Sequence, residues 1–400
     1  MRRLGPVMLS CALASLGCGR SDLDAAPETT PIVDAAPSPL PTTDATASDL
    51  APAEVRDASV EPTPLEAGRD SGDANDAPSA TADGPADPTA PPSCRARGVG
   101  LENCGWTGDS CCASLLVDGG TFFRWYTTLG PVNAFPATVS AFRLDKYEVT
   151  VGRYRQFQAA WAAGWKPAAG SGKHAHLNGG AGLALANGPP AFEPGWVAAD
   201  SATLASPGAH IRSGACGPAG TWTDAPAENE ARPINCVTWF EAYAFCIWDG
   251  GFLPTDAEWE YAAAGGDEQR IFPWGSAQPG EKNERAIYGD AGGHCYYPTG
   301  SLEACMGPLS VAPVGTPTKG AGRWDQVDLA GNVSEWNYDV DDGALPLPCV
   351  DCALVVDGRS RVFRGGSYGL GKSYFGPPDR SAYPPTRFAQ GIGFRCARAP

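Results

Sequence analysis

Cys236–Gly266 reads CVTWFEAYAFCIWDGGFLPTDAEWEYAAAGG, and this stretch decides the fold. It predicts two helices joined by a short turn. Thr238 stands three residues before Glu241, and Thr255 three before Glu258. Each pair is a capping box, in which the Thr hydroxyl and the Glu carboxylate satisfy backbone N–H groups that have no partner inside the helix. Each helix stops at a glycine pair, Gly250-Gly251 and Gly265-Gly266, where a residue without Cβ can take the left-handed turn. Apolar and aromatic residues crowd both helices, so both are expected to be buried on most sides.

Outward from this centre, Val117–Tyr126 and Val139–Tyr147 read as strands by their aromatic and β-branched content. Thr150 then caps a helix from Val151 to about Trp161, with Tyr154, Phe157 and Trp161 on one face as a core stripe. Ala163–Ala231 is rich in Gly, Ala and Pro and reads as loop. It carries His174, His176 and His210, but no third ligand at a matching spacing, so these histidines are not expected to hold a metal.

The chain ahead of this region has another composition. Residues 1–17 hold Arg2, Arg3 and a short apolar run, too short for the ~20 residues that span a bilayer; they read as a secretory signal. Ser15-Leu16-Gly17-Cys18 is similar to a bacterial lipoprotein cleavage site, with Cys18 as the residue to be lipidated. Residues 18–92 form an acidic linker rich in Pro, Ala and Thr, with no aromatic residue; such a composition cannot bury enough apolar surface to offset the entropy of ordering. Gly19–Pro92 holds 15 acidic residues and three arginines, a net of −12 out of the whole chain's −16. Removing also the +2 of the signal leaves −6 for the rest, so the acidity belongs to the tether. Neither part has the basic face that nucleic acid requires. The expected localisation is the cell envelope, with the membrane reached through the lipid anchor.

Residues 93–114 are a cysteine-rich lead-in, and residues 115–400 the main domain. Of 14 cysteines, twelve lie from Cys94 onward; an even number in an exported chain points to as many as six disulfides. The spacing of Cys94, Cys104, Cys111 and Cys112 lacks paired zinc knuckles, and Cys349-x-x-Cys352 has no following helix to lower a thiolate pKa, so both groups are expected to be structural bridges.

The helix pair, with Phe142–Phe157 (FRLDKYEVTVGRYRQF), Phe272–Gly275 (FPWG), Asp328–Trp336 (DLAGNVSEW), Arg361–Tyr368 (RVFRGGSY) and Gly393–Cys396 (GFRC), resembles the formylglycine-generating enzyme, or sulfatase-modifying factor, family. The resemblance implies an irregular α+β fold, low in regular secondary structure, disulfide-stabilised and related to C-type lectin-like domains. It implies a Cys246–Cys396 bridge. It also implies structural calcium on the Asp328 side chain, the Gly331 and Val333 carbonyls and the Glu335 side chain, a hard-oxygen set of the kind calcium takes, with Asn283 serving a second ion. Family members oxidise a cysteine of a sulfatase to formylglycine using copper(I), which needs soft thiolate ligands. Aligned on Gly365–Tyr368, the two copper positions fall on Leu370 and Phe375, and neither ligates a metal. Ser367 and Arg380 remain of the family pocket. The expectation is therefore a pseudoenzyme without copper: a binding or structural module whose ligand is a peptide, protein or glycan. An oxidoreductase using another metal or the Cys349/Cys352 pair is the alternative, and the four histidines are too few for the iron site of related sulfoxide synthases.

Overall fold

In the computed structural model, residues 89–126, 135–186, 191–204, 207–290, 292–343, 345–355 and 359–400 are described. The expected signal, Cys18 and the linker up to residue 88 lie outside them.

The described elements, in chain order, are β1 (Ser114–Val117), β2 (Gly120–Phe123), β3 (Pro136–Val139), β4 (Phe142–Asp145), α1 (Val151–Ala162), β5 (Ala184–Leu185), α2 (Ala198–Thr203), α3 (Ala209–Arg212), α4 (Trp239–Trp248), α5 (Asp256–Ala264), β6 (His294–Cys295) and β7 (Glu303–Ala304). They continue as β8 (Ser334–Val340), β9 (Cys349–Val350), β10 (Cys352–Ala353), β11 (Arg361–Arg364), β12 (Arg380–Tyr383), β13 (Ile392–Gly393) and β14 (Ala397–Arg398).

The predicted helix pair is α4 and α5, and both capping boxes form. The Glu241 N–H donates to the Thr238 hydroxyl at 3.2 Å, and the Glu258 N–H to that of Thr255 at 3.0 Å. In return, Glu241 and Glu258 each accept their cap's N–H at 2.8 Å. Gly265 ends α5 at φ 67°, and Gly250 follows α4 at φ 83°. Every residue of α5 is buried, its three acids included: Asp256 and Glu260 pair with Arg364, and Glu258 with His174. Helix α1 covers the expected span and is capped by Thr150. Its Phe157 meets Phe245 and Trp248 of α4 with ring centroids 5.7 Å apart in both cases. Tyr154 stacks on Phe245, and Phe394 closes the cluster from the C-terminal segment.

The strands are shorter than their sequence suggests. Of the expected strand over 117–126 only β2 forms, with β1 ending at its first residue, Val117; of that over 139–147 only β4 forms, with β3 ending at Val139. The paired pieces belong to different sheets: β1 and β4 lie with β14, whereas β2 and β3 lie with β9. The chain changes sheet at Gly119, where a Cβ would stand 2.7 Å from the Val139 carbonyl oxygen and the Ala141 nitrogen. A four-stranded sheet, β12-β11-β8-β13, carries the C-terminal half. The 163–231 region holds little beyond β5, α2 and α3, as expected of its composition.

All six disulfides form: Cys94–Cys112, Cys104–Cys111, Cys216–Cys236, Cys246–Cys396, Cys295–Cys305 and Cys349–Cys352. The lead-in is stitched into the core, not merely adjacent to it. Ser93 is fully buried, and the Arg153 Nε donates to its hydroxyl at 2.9 Å. Arg153 also pairs with Asp145 at 3.1 Å and Asp249 at 2.6 Å, all three out of solvent.

The Cys246–Cys396 bridge spans 150 residues and ties α4 to the last turn of the chain. Replacing both cysteines by serine is expected to lower unfolding stability by about 4–5 kcal/mol on the chain-entropy model, an upper figure. Urea unfolding reads this directly, and an unchanged midpoint would show that the bridge adds nothing.

Candidate functional site

Strand β11 leads straight into Gly365-Gly366-Ser367. Both glycines adopt positive φ, 94° and 67°, and a Cβ on Gly366 would meet the Phe375 ring at 2.9 Å. This turn leaves Arg364 pointing at α5. Its Nε donates to Asp256 Oδ1 at 2.6 Å and its Nη2 to Glu260 Oε2 at 2.9 Å. Asp256 and Glu260 are one helical turn apart, so both carboxylates lie on one face of α5. Across the sheet Arg380 stands in register with Arg364. It reaches Asp256 at 3.3 Å and Asp341 at 3.0 Å.

Above this ionic floor opens a cavity of about 550 Å³. Glu260, Arg364 and Arg380 line its base, Trp125, Tyr126, Ile271, Phe272 and Leu345 its apolar walls, and Lys372 and Asp379 its rim. A smaller depression of about 180 Å³ adjoins it, bounded by Gly365, Gly366, Leu370, Tyr374 and Arg380. Burial, with Asp256 alongside, pushes the Glu260 carboxyl up to about 7 despite Arg364 and Arg124. Asp339, deeper in the same cluster, is likewise pushed up to about 7, by burial first and then by Asp256.

The residues at the expected copper positions occupy different places. Leu370 forms part of the wall of the smaller depression. Phe375 is sealed in an apolar cluster with Phe272, Ala286, Tyr288 and Ala330. Every cysteine among the described residues is in a disulfide, so no thiolate faces either cavity. A copper(I) site does not fit these residues. Ser367 is largely buried beside Gly391, and Arg380 is engaged by two carboxylates.

The residues expected to hold calcium lie elsewhere. Asp328 Oδ2 accepts the Gly315 N–H at 2.6 Å, and its Oδ1 is buried with no hydrogen-bond partner. Burial pushes this carboxyl up to about 6. Glu335 is held otherwise: Arg395 donates to both of its oxygens at 2.6 Å, and Trp259 Nε1 donates to one at 2.8 Å. Gly331, at φ 87°, packs so closely on the Ile287 carbonyl that no side chain fits there. Val333 gives its N–H to Glu148, a fully buried acid that sequence reasoning missed and that also accepts from Asn332. Asn332 is itself fully buried. Asn283 has a positive φ of 57° and a buried Oδ1 without a partner. Thus Asp328 and Asn283 each retain a donor oxygen suited to a hard cation, and the Glu335 carboxylate is already neutralised. Among the described residues no three His, Cys, Asp or Glu side chains form a metal-sized group.

The histidines of the long loop serve structure. His174 is fully buried, its Nδ1 3.1 Å from Glu193 and its Nε2 3.2 Å from Glu258. With a carboxylate at each ring nitrogen, only the imidazolium donates to both. Burial opposes the charge, but the two carboxylates outweigh it and raise His174 to about 9. His176 lies flat against Phe252, and His210 bonds the Cys236 carbonyl at 2.6 Å.

Because the His174 pKa rises on folding, its contribution to stability is complete below the unfolded value of ~6.5 and is lost as pH climbs through about 9. The Tm is expected to fall across that window and His174→Gln to abolish that fall. A wild-type Tm that is flat from about pH 6.5 to 9.5 would contradict the charged sandwich. The raised carboxyls Asp328, Glu260 and Asp339 act in the lower window, up to about 7, and the variant leaves them in place.

An irregular α+β scaffold closed by an arginine-clamped helix and a Gly-Gly-Ser turn defines a class, and sequence comparison agrees. The pattern of the sulfatase-modifying factor enzyme 1-like domain matches residues 107–400, and the chain belongs to that family. Formylglycine-generating enzyme of Mus musculus is 36% identical over 178 residues, which are 42% of this chain and 44% of that protein. The chain thus spans under half the length of that relative. Formylglycine-generating enzyme of Streptomyces coelicolor is 32% identical over 287 residues, 70% of this chain and 85% of that protein. Inactive C-alpha-formylglycine-generating enzyme 2 of Bos taurus is 32% identical over 173 residues, 41% of this chain and 50% of that protein.

Proposed function

We propose that this chain is a non-catalytic member of its family: a binding module held off the cell envelope by its acidic tether. The observation that carries this reading is the fate of the thiols. Copper(I) chemistry requires thiolate ligands, and every described cysteine is bonded to another. At the two aligned positions stand Leu370 and Phe375, the latter packed where Gly366 leaves room for its ring. The cavity beside them is nevertheless open, of a size that accepts a small ligand or a peptide side chain. The bovine relative named as inactive supports the idea that the fold persists without the reaction.

The purified full chain, supplied with copper and oxygen and a Cys-x-Pro-x-Arg peptide, is expected to leave the peptide cysteine unoxidised and to consume no oxygen. Aldehyde formation coupled to oxygen uptake would overturn the reading in favour of an oxidoreductase using other ligands.

A structural calcium forms part of the same proposal. The unpartnered oxygen of Asp328 supports it, with the Gly331 and Val333 carbonyls as neutral donors and Glu335 left with Arg395, and the unpartnered oxygen of Asn283 supports a second ion. Chelation is expected to lower the Tm by several degrees and calcium to restore it, with Asp328→Ala insensitive to both; a chelator-independent Tm for the native chain would exclude the ion.

A further inference from the structure

The four-stranded sheet ends in a bare edge. β12 pairs with β11 on one side, in unbroken register from Arg364–Arg380 to Arg361–Tyr383, and no described strand lies on its other side. In an antiparallel pair, alternate residues turn both backbone groups to the neighbour and the rest turn theirs away. Two of the four residues of β12 therefore hold an N–H and a C=O outward. No described backbone group beyond β11 bonds to Ser381, Ala382 or Tyr383, and Ser381 and Tyr383 are exposed. Proteins commonly blunt such an edge with a bulge, a proline or a lysine. β12 has none of these, and its centre is the small pair Ser381-Ala382.

Positive charge lies in excess along this edge. At one end Arg380 lines the larger cavity, whose lining holds Arg364, Arg380 and Lys372 against Glu260 and Asp379. The two arginines are paired with acids, but exposed Lys372 turns its Nζ to the neutral Gln278 amide at 3.0 Å. At the other end exposed Arg387 stands 5.7 Å from the centre of the Tyr383 ring and forms no ion pair with a described residue. The cavities also follow the pleat of the sheet. Arg364 and Arg380 line the larger one, and the smaller depression is lined in addition by their neighbours Phe363 and Ser381, which point to the other face. A strand laid along β12 would alternate in the same way, so its successive side chains would meet the two spaces in turn.

We propose that β12 takes up an extended acidic peptide of a partner protein as a fifth strand of the sheet, with carboxylates of the peptide toward Lys372 and Arg387. The inference rests on the binding-module reading and names the kind of partner. Backbone bonds to β12 hold the peptide in register, and its side chains supply selectivity. Four residues of edge give few such bonds, so the two cations carry a substantial share of the affinity.

The test is calorimetric titration of the full chain with the peptide acetyl-Glu-Val-Thr-Val-Glu-amide and three relatives. One carries Gln for both Glu, one is N-methylated on both Val nitrogens, and one on the Glu and Thr nitrogens. The acidic peptide is expected to bind about threefold to tenfold tighter than the neutral one, a preference that fades as salt rises. One methylated form is expected to bind like its parent and the other not at all, because only alternate nitrogens face β12. These changes are made on the peptide and leave the fold untouched. Lys372→Ala and Arg387→Ala, both at exposed positions, should each weaken the acidic peptide about twofold to threefold and leave the neutral one unchanged. Binding that both methylated forms keep or both lose, equal binding of the neutral peptide, or no binding at all would overturn the inference. Self-association of the chain that the peptide competes away would also overturn it, giving the edge to a second copy. Such results leave the non-catalytic reading to its separate oxygen assay.

Discussion

Guanidinium groups withdrawn from water hold this molecule together. Arg124, Arg153, Arg364 and Arg395 are among its largest fully buried side chains. The reason lies in the shortness of its strands, since a fold made mostly of loops brings inside many carbonyls that no ladder satisfies. An arginine supplies five donors from one planar group and remains charged at any relevant pH. Arg395 shows the use: it binds Glu335 with two bonds and gives others to the Asp145, Lys146 and Val327 carbonyls, joining three separate segments. Removing such a group would leave a buried carboxylate and several carbonyls unmatched together, which is far costlier than the loss of one surface pair.

The same device positions the cavity. Arg364 is at once the clamp on α5 and part of the cavity lining, so the cavity and the core share one side chain. Beyond Ser367 the loop turns Phe375 inward, where its ring packs against Tyr288.

The helix pair was legible because its signals are local. A Thr, a Glu three residues on and a terminal glycine specify each end without reference to the rest of the chain, as the caps of α4 and α5 show. The break of the early strands was not legible, because it depends on the space around Gly119, which residues 139–141 fill from another part of the chain. The site was half visible. Asp256 and Glu260, with their helical spacing, could have been paired with an arginine, but nothing local says that Arg364 is that arginine. His174 likewise reads as a loop residue until Glu193 and Glu258 close on it from either side. Glu148 escaped notice because its partners, Asn332 and Val333, lie more than 180 residues away.

Phe394, Arg395, Cys396 and Ala397 are interior parts. Ala397 and Arg398 form the strand beside β4, the Asp145 N–H donates to the Cys396 carbonyl, and Phe394 completes the aromatic cluster around α4. Assembly consequently waits on contacts between segments far apart in the chain. The first sheet lacks one of its strands, and α4 its covalent anchor, until residues 394–398 are in place. Contacts this distant in sequence close slowly. The described fold therefore locks as a whole, and only where oxidation can join Cys246 to Cys396.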